Sequence, residues 1–395
     1  MNRISSSSFS KYLLFGGLYF PEGLIVIVTT VILPIYFYEK GISPEIITIV
    51  IGITLIPMII KFIWGGIADY FIRFGRKRFI IFGGILSGIS ILLLTTVDPR
   101  VALIPFAFLF FISWCGMGFL SASSDALAID ITQKEERGKI NGAIYAGQNG
   151  GMIAGSLLLP FIAQRYGYIV VFLIAGLIII FISLLPFLIK ESRKDEKKEK
   201  VTALLIDEFK KKNVQQLAIF TPILMISSGI LMFLAPLYMK NSLHLDLTQI
   251  GLIGGVFTIG TAVGSVVGGA LADRLGRKIT LSVFIVTSIF FTTSLVFTNN
   301  WQSFTFVYGG IGFLQGGYFA ALLATLMDAT NPRIGATQFS IFTSLSNLGN
   351  ISASAASGTL LVLLGFNCVF LYSAWIFGPV MLLLYFIKIE GVKKT

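Results

Sequence analysis

Five stretches of this chain contain no Asp, Glu, Lys or Arg: Val101–Ser124, Ile140–Gln164, Tyr168–Ile189, Asn213–Met239 and Leu247–Ala272. Each exceeds the ~20 residues that carry a helix across the hydrocarbon core of a bilayer. Two longer runs, Ile279–Met327 and Ile334–Ile387, suffice for two crossings apiece, divided at Asn299-Asn300 and Gly365-Phe366-Asn367. Phe79–Val97 is equally clean, whereas Tyr12–Tyr38 and Glu45–Ala68 are apolar segments interrupted by charge. The count reaches twelve, and the fold class is an all-α membrane protein. Composition agrees: 12% of residues are charged, against roughly a quarter in soluble domains, too few to cover a surface in water. Met1–Ser10 is polar and no small-residue cleavage site follows a short apolar core, so Tyr12–Tyr38 is read as a retained span and not a signal peptide.

A net charge of +11 suggests nucleic acid until the charges are placed. With the N-terminus inside, cytoplasmic segments hold 25 of the 30 Lys and Arg, and the outer loops hold Lys40, Arg100, Arg165 and Lys240. That is the positive-inside distribution, so basic charge sets topology and no nucleic-acid partner is implied. The expectation is an integral protein of the plasma membrane with both termini cytoplasmic. Cys115 and Cys368 lie in apolar runs and His244 lies in an outer loop. No metal site, disulfide framework or Cys–His catalytic set follows from them. Neither an enzyme nor a cofactor is expected, and no G-x-x-x-x-G-K-[ST] loop for ATP is present.

Glu191–Lys200 (ESRKDEKKEK) separates two hydrophobic blocks of similar size. The expected organisation is a six-helix bundle over 1–190, a cytoplasmic linker over 191–214 and a second six-helix bundle over 215–395. Within the linker, Val201, Leu204, Leu205 and Phe209 recur at helical spacing beside acidic and basic residues, the pattern of an amphipathic helix on the membrane face. The blocks repeat each other. Gly65-Gly66-Ile67-Ala68-Asp69 followed by Gly75-Arg76-Lys77 returns as Gly269-Ala270-Leu271-Ala272-Asp273 followed by Gly276-Arg277-Lys278. A second echo joins Asp130-Ile131-Thr132, with Arg137-Gly138, to Asp328-Ala329-Thr330, with Arg333 and Gly335. The offsets are 204 (69 to 273) and 198 (130 to 328), which argues for duplication and two pseudo-symmetric halves. Parallel repeats of this kind are a transporter architecture with a substrate site at the repeat interface. Gly147, Gly151 and Gly155 in the fifth span, and Gly260, Gly264 and Gly268 in the eighth, form small-residue stripes that favour close helix packing. They are expected where the halves meet.

The loop Gly269-x-x-x-Asp273-Arg274-Leu275-Gly276-Arg277-Lys278 resembles the signature loop of the major facilitator superfamily. The first-half copy carries three more residues between Asp69 and Gly75. A glycine permits a sharp turn, and an acid beside basic residues at a helix end makes an ion-pair latch. Asp69, Gly75, Arg76 and Asp130, with Asp273, Gly276, Arg277 and Asp328, are the expected cytoplasmic gate. The alternative is topology anchoring alone. Tyr19-Phe20-Pro21-Glu22-Gly23-Leu24, Pro57-x-x-x-Lys61-Phe62-x-Trp64, Ser124-Asp125-Ala126-Leu127-Ala128-Ile129-Asp130 and Gly335-Ala336-Thr337-Gln338-Phe339 resemble stretches of the AmpG-type muropeptide permeases and acetyl-coenzyme A transporters. Glu22 stands where that group usually has glutamine, Gly65-Gly66 replaces an Ala-Pro, and Ser124 replaces a glutamine. The resemblance implies proton-linked movement of a polar, anionic metabolite by alternating access, with a small-molecule substrate and lipids as the partners of a monomeric chain. A lipid or lipid-linked headgroup flippase, or a drug or metabolite exporter, is the alternative on the same fold.

Glu22, Lys61 and Asp125 fall within spans, where ionised groups are costly and usually functional. At ~1.5 Å per residue, Glu22 lies ~16 Å and Lys61 ~12 Å from the cytoplasmic end, with Asp125 slightly shallower. All three are placed to meet in the first half, as a proton-taking carboxylate beside a lysine that binds anion or pairs with the acid. An anion loaded onto the lysine would then favour protonation of the acid. A permanent ion pair that only fixes packing is the competing reading. Tyr19, Asn141, Tyr145, Gln148 and Asn149 in the first half, and Gln315, Tyr318, Gln338 and Asn347 in the second, are the further candidates to line the cavity.

Overall fold

The computed structural model describes residues 8–70, 75–131, 137–188, 201–331 and 334–387. Every regular element among them is a helix, as a chain surrounded by lipid requires, because a helix satisfies its backbone groups internally. Nine of these helices are long and apolar enough to cross a membrane. One, Thr337–Phe386, holds two crossings, because Gly365 at φ +76° turns the chain between residues 335–364 and 366–386. The fifth span, Arg137–Tyr166, is a full-length helix that carries polar residues. The second span is broken into Pro44–Thr54, Ile56–Ile59 and Lys61–Tyr70. With these the chain has its twelve transmembrane helices. Their outer faces are hydrophobic: Phe181 is 79% exposed, Leu363 72% and Phe290 69%, positions that only a lipid solvent makes stable.

The helices divide into two compact units, one of residues Met1–Ser43 and Val50–Lys197, the other of Pro44–Ile49 and Lys198–Thr395. In the first unit the first span (Ser10–Glu39) packs along the fifth, and the third (Arg76–Thr96) packs between the fourth (Leu103–Ile131) and the sixth (Tyr168–Phe187). In the second unit the seventh span (Lys212–Asn241) packs along the eleventh, and the eighth (Leu247–Leu275) along the tenth (Trp301–Asp328). The first–fifth and seventh–eleventh pairs are equivalent, so this helix pair repeats between the units.

The glycine stripes are used inside the units, which corrects the expectation of a seam between halves. A Cβ on Gly147 or Gly151 would run into the first-span backbone at Gly16 or Phe20. One on Gly260, Gly264 or Gly268 would run into the tenth span at Gly309, Phe313 or Gly317. The spacing marks close backbone approach but carries no information about which helix approaches.

The linker helix, Val201–Phe209, is anchored at its end by Phe209, whose ring lies 5.9 Å from that of Phe342. Beside it the buried Glu208 pairs with Lys211 and accepts a hydrogen bond from Asn331 Nδ2 at 2.7 Å. Glu191–Lys200, Thr132 and Arg333, and the side chains of Val201, Asp69, Arg137 and Asn141, lie outside the described residues.

Candidate functional site

The break in the second span is what positions Lys61. The helix is interrupted at Leu55 and again at Ile60, where φ −96° and ψ 25° leave the helical region. Lys61 opens the helical piece that follows. The indole N–H of Trp64 donates to the carbonyl of Pro57 at 2.9 Å and so bridges the break. Gly118 of the fourth span leaves the room that the Trp64 ring occupies, and Phe119 packs on that ring at 5.0 Å. The Pro-x-x-x-Lys-Phe-x-Trp pattern thus works as one device: proline interrupts, tryptophan braces, and lysine is presented at the interruption.

Lys61 Nζ lies 3.1 Å from Asp125 Oδ2, with side-chain exposures of 26% and 45%. The Tyr19 hydroxyl donates to the other oxygen of Asp125, and the lysine sits over the Tyr19 ring at 5.8 Å. Glu22 is 5% exposed. Its Oε1 accepts from Gln148 Nε2 at 3.1 Å, and its Oε2 has no partner among the described residues. The structure therefore joins Lys61 to Asp125 and leaves Glu22 as a separate acid, bonded to Gln148. Tyr145 is 39% exposed. Asn149 is half-buried.

In the second unit Tyr318 and Gln338 have different neighbours. Tyr318 is 2% exposed and meets Phe377 edge-on at 6.0 Å. Gln338 is fully buried, and its Oε1 accepts the backbone N–H of Asn331 at 2.9 Å, which braces the turn between the tenth and eleventh spans. Gln315 and Asn347 are half-buried.

The loop residues pair within each unit. Arg76 Nε is 2.6 Å from Asp130 Oδ2. Arg277 reaches Asp328 at 3.0 Å and Asp273 at 2.5 Å. Gly75 at φ +83° and Gly276 at φ +95° precede these arginines, a conformation that side chains disfavour, and the turn aims each arginine back at the fourth or tenth span. Lys278 donates to the carbonyls of Tyr385 and Ile387 at 2.8 and 2.9 Å, capping the twelfth span, a role that the sequence reading did not assign.

Twelve helices, two units with matching packing and a signature loop in each are joined by a family match: the Major Facilitator Superfamily profile fits residues 15–224 and 217–395. The chain belongs to the Major Facilitator Superfamily. Transporter AmpG 4 of Rickettsia conorii is 25% identical, over 92% of this chain and 93% of its own length. The anhydromuropeptide permease of Escherichia coli K12 is 23% identical, over 82% of this chain and 69% of its own. Multidrug resistance protein MdtG of Escherichia fergusonii is 26% identical, over 87% and 85%. A crystal structure of a D-xylose-proton symporter superposes with TM-score 0.78 at 17% identity, covering 98% of both chains. That likeness speaks to the fold. Members of this superfamily are transporters and not enzymes, so this protein moves a small molecule across a membrane.

Proposed function

We propose that this major facilitator protein is a secondary active transporter that carries a polar, anionic organic solute by alternating access and couples it to protons. The observation that supports this most is the pairing of two unlike sites in one unit. A buried acid, Glu22, has an oxygen without a partner. Nearby, a half-exposed Lys61–Asp125 pair can exchange its internal carboxylate for the carboxylate or phosphate of a solute. Intramembrane ionisable groups of this kind mark ion and substrate paths. The AmpG-named relative and the anhydromuropeptide permease favour a solute of muropeptide type. The protein is expected in the plasma membrane as a monomer, with both termini cytoplasmic. Arg76–Asp130 and Arg277–Asp328 are the expected cytoplasmic gate, each pair formed inside its own unit.

The multidrug relatives, equally similar in sequence, favour a second reading as a drug or metabolite exporter. The test is transport by purified protein in proteoliposomes. Uptake of a labelled anhydromuropeptide that rises with an acid-outside pH gradient supports the proposal. Gradient-driven movement of lipophilic drugs with no muropeptide uptake supports the exporter. Movement of labelled lipid between leaflets without either would identify a flippase.

A further inference from the structure

The packing repeat reaches down to individual side chains. In the first unit, Gly23 lies against the carbonyl of Gln148, and the residue before that glycine, Glu22, bonds the Gln148 side chain. In the second unit, Gly229 lies against the carbonyl of Asn350. The residue before it, Ser228, bonds the Asn350 side chain at 2.6 Å. The neighbouring contacts also match: Gly147 sits on the backbone of Gly16, and Gly349 on that of Pro222. Glu22–Gln148 and Ser228–Asn350 therefore occupy one address in two copies of the same helix pair.

The geometry points to Ser228–Asn350 as a binding subsite of the second unit, one that takes a neutral hydrogen-bonding group of the transported solute, a hydroxyl or an amide. Two features separate it from ordinary interhelical glue. Ser228 is 4% exposed, and its single hydroxyl proton goes to the Asn350 amide oxygen at 2.6 Å, with the Met225 carbonyl at 3.0 Å as the alternative acceptor. Asn350 is half-buried, and its amide makes only the Ser228 bond among the described residues, which leaves its other end unpaired. Glue between helices has no reason to leave half an amide unused, whereas an amide clamped at one end is oriented for a ligand at the other. The neutral residues explain the class. Glu22 suits a proton, and a serine–asparagine pair suits an uncharged polar group, since unpaired charge costs most where hydration is lost.

The inference rests on the proposed transport function, and the experiment separates the two. Labelled anhydromuropeptide serves as the probe, in proteoliposomes with and without a pH gradient. Asn350→Ala should raise KM about two- to tenfold, the worth of one lost hydrogen bond. Ser228→Ala should raise it less, and both should keep the parental response to the gradient. Unchanged KM in Asn350→Ala, with the parent transporting normally, overturns the subsite and leaves the function standing. Should the parent itself not move the probe, the solute class falls, and a second measurement decides the subsite. Asn350→Cys, with Cys115 and Cys368 replaced by serine, should react with a charged, membrane-impermeant thiosulfonate, because a ligand site must be reached from water. An inert cysteine there would reduce the pair to packing.

Discussion

Glu22→Gln is the substitution that the site most sharply constrains. The carboxyl is 5% exposed and bonded to Gln148 Nε2 at 3.1 Å through one oxygen, with the other unpaired. An amide has the same shape. Its oxygen can keep the Gln148 bond while its NH2 takes the place of the free oxygen. Folding should therefore change little, within about 1 kcal/mol for one neutral hydrogen bond exchanged. Coupling should change completely, because an amide cannot release a proton on either face. One proton moved down a gradient of one pH unit carries ~1.4 kcal/mol, which sustains about tenfold accumulation of a solute moved with it.

The assay is the internal-to-external ratio of labelled anhydromuropeptide in proteoliposomes, with the membrane potential clamped at zero and the outside one pH unit more acidic. The parent should approach a ratio of about ten. Glu22→Gln should settle near one while exchange of internal for external solute continues. A variant that still reaches the parental ratio refutes Glu22 as the proton carrier and moves the role to Asp125. Parental accumulation by Glu22→Gln, Asp125→Asn and the double variant together would refute coupling through this cluster altogether. The AmpG-type permeases usually carry glutamine at this position, which makes the first of these outcomes a test of how this chain departs from that group.

Lys61→Ala should abolish saturable binding of the anhydromuropeptide. The exposures of the Lys61–Asp125 pair set the folding cost between the ~0–1 kcal/mol of surface pairs and the ~3–5 of buried ones, and binding by isothermal calorimetry checks the claim. Gly264→Leu would drive a side chain into the Phe313 backbone and should destabilise by about 1–3 kcal/mol or more, read as a lowered midpoint in detergent, whereas the same change at Gly269, where nothing lies within 4 Å, should not. Lys211 and Asn331 hold the Glu208 carboxyl below its ordinary value. Docking of the linker helix should accordingly be full above the free value of about 4.3 and weaken only as pH falls through the lower folded value. Limited proteolysis that loosens the helix already between pH 8 and 5 would contradict this. Cysteines at Lys210 and His244 should label from opposite sides of the membrane, the first from the cytoplasm.

Much of this was legible because charge is conspicuous in an apolar chain. Lys61 and Asp125 stand out by type alone, and depth counting put them near one level. The signature loops could be read as arginine–acid latches, since their glycines, acids and arginines recur in order. What the sequence does not encode locally is who meets whom. The stripe at Gly260, Gly264 and Gly268 declares close packing, yet only the fold shows the tenth span as the partner. Gln338 looks like a cavity residue by type. Its neighbour in space is the Asn331 backbone, a donor present in every sequence and therefore invisible in this one. Glu22 was grouped with Lys61 by depth, but rotation about the first span turns it toward Gln148.

The missed pair, Ser228–Asn350, shows why the repeat is informative where single residues are not. Serine and asparagine are unremarked in a membrane helix, and each alone reads as a local hydrogen bond. The signal lies in adjacency: Glu22-Gly23 and Ser228-Gly229 on one helix, Gly147-Gln148 and Gly349-Asn350 on its partner. Each glycine brings two backbones into contact, and contact at that distance forces the adjacent polar side chains together. Glycine stands at both copies of these positions, where a Cβ would meet backbone, while the polar neighbours are an acid in one unit and a hydroxyl in the other. Packing and chemistry thus fall on neighbouring positions, so glycines that make the same close contact in both halves locate polar positions whose chemistry differs between them.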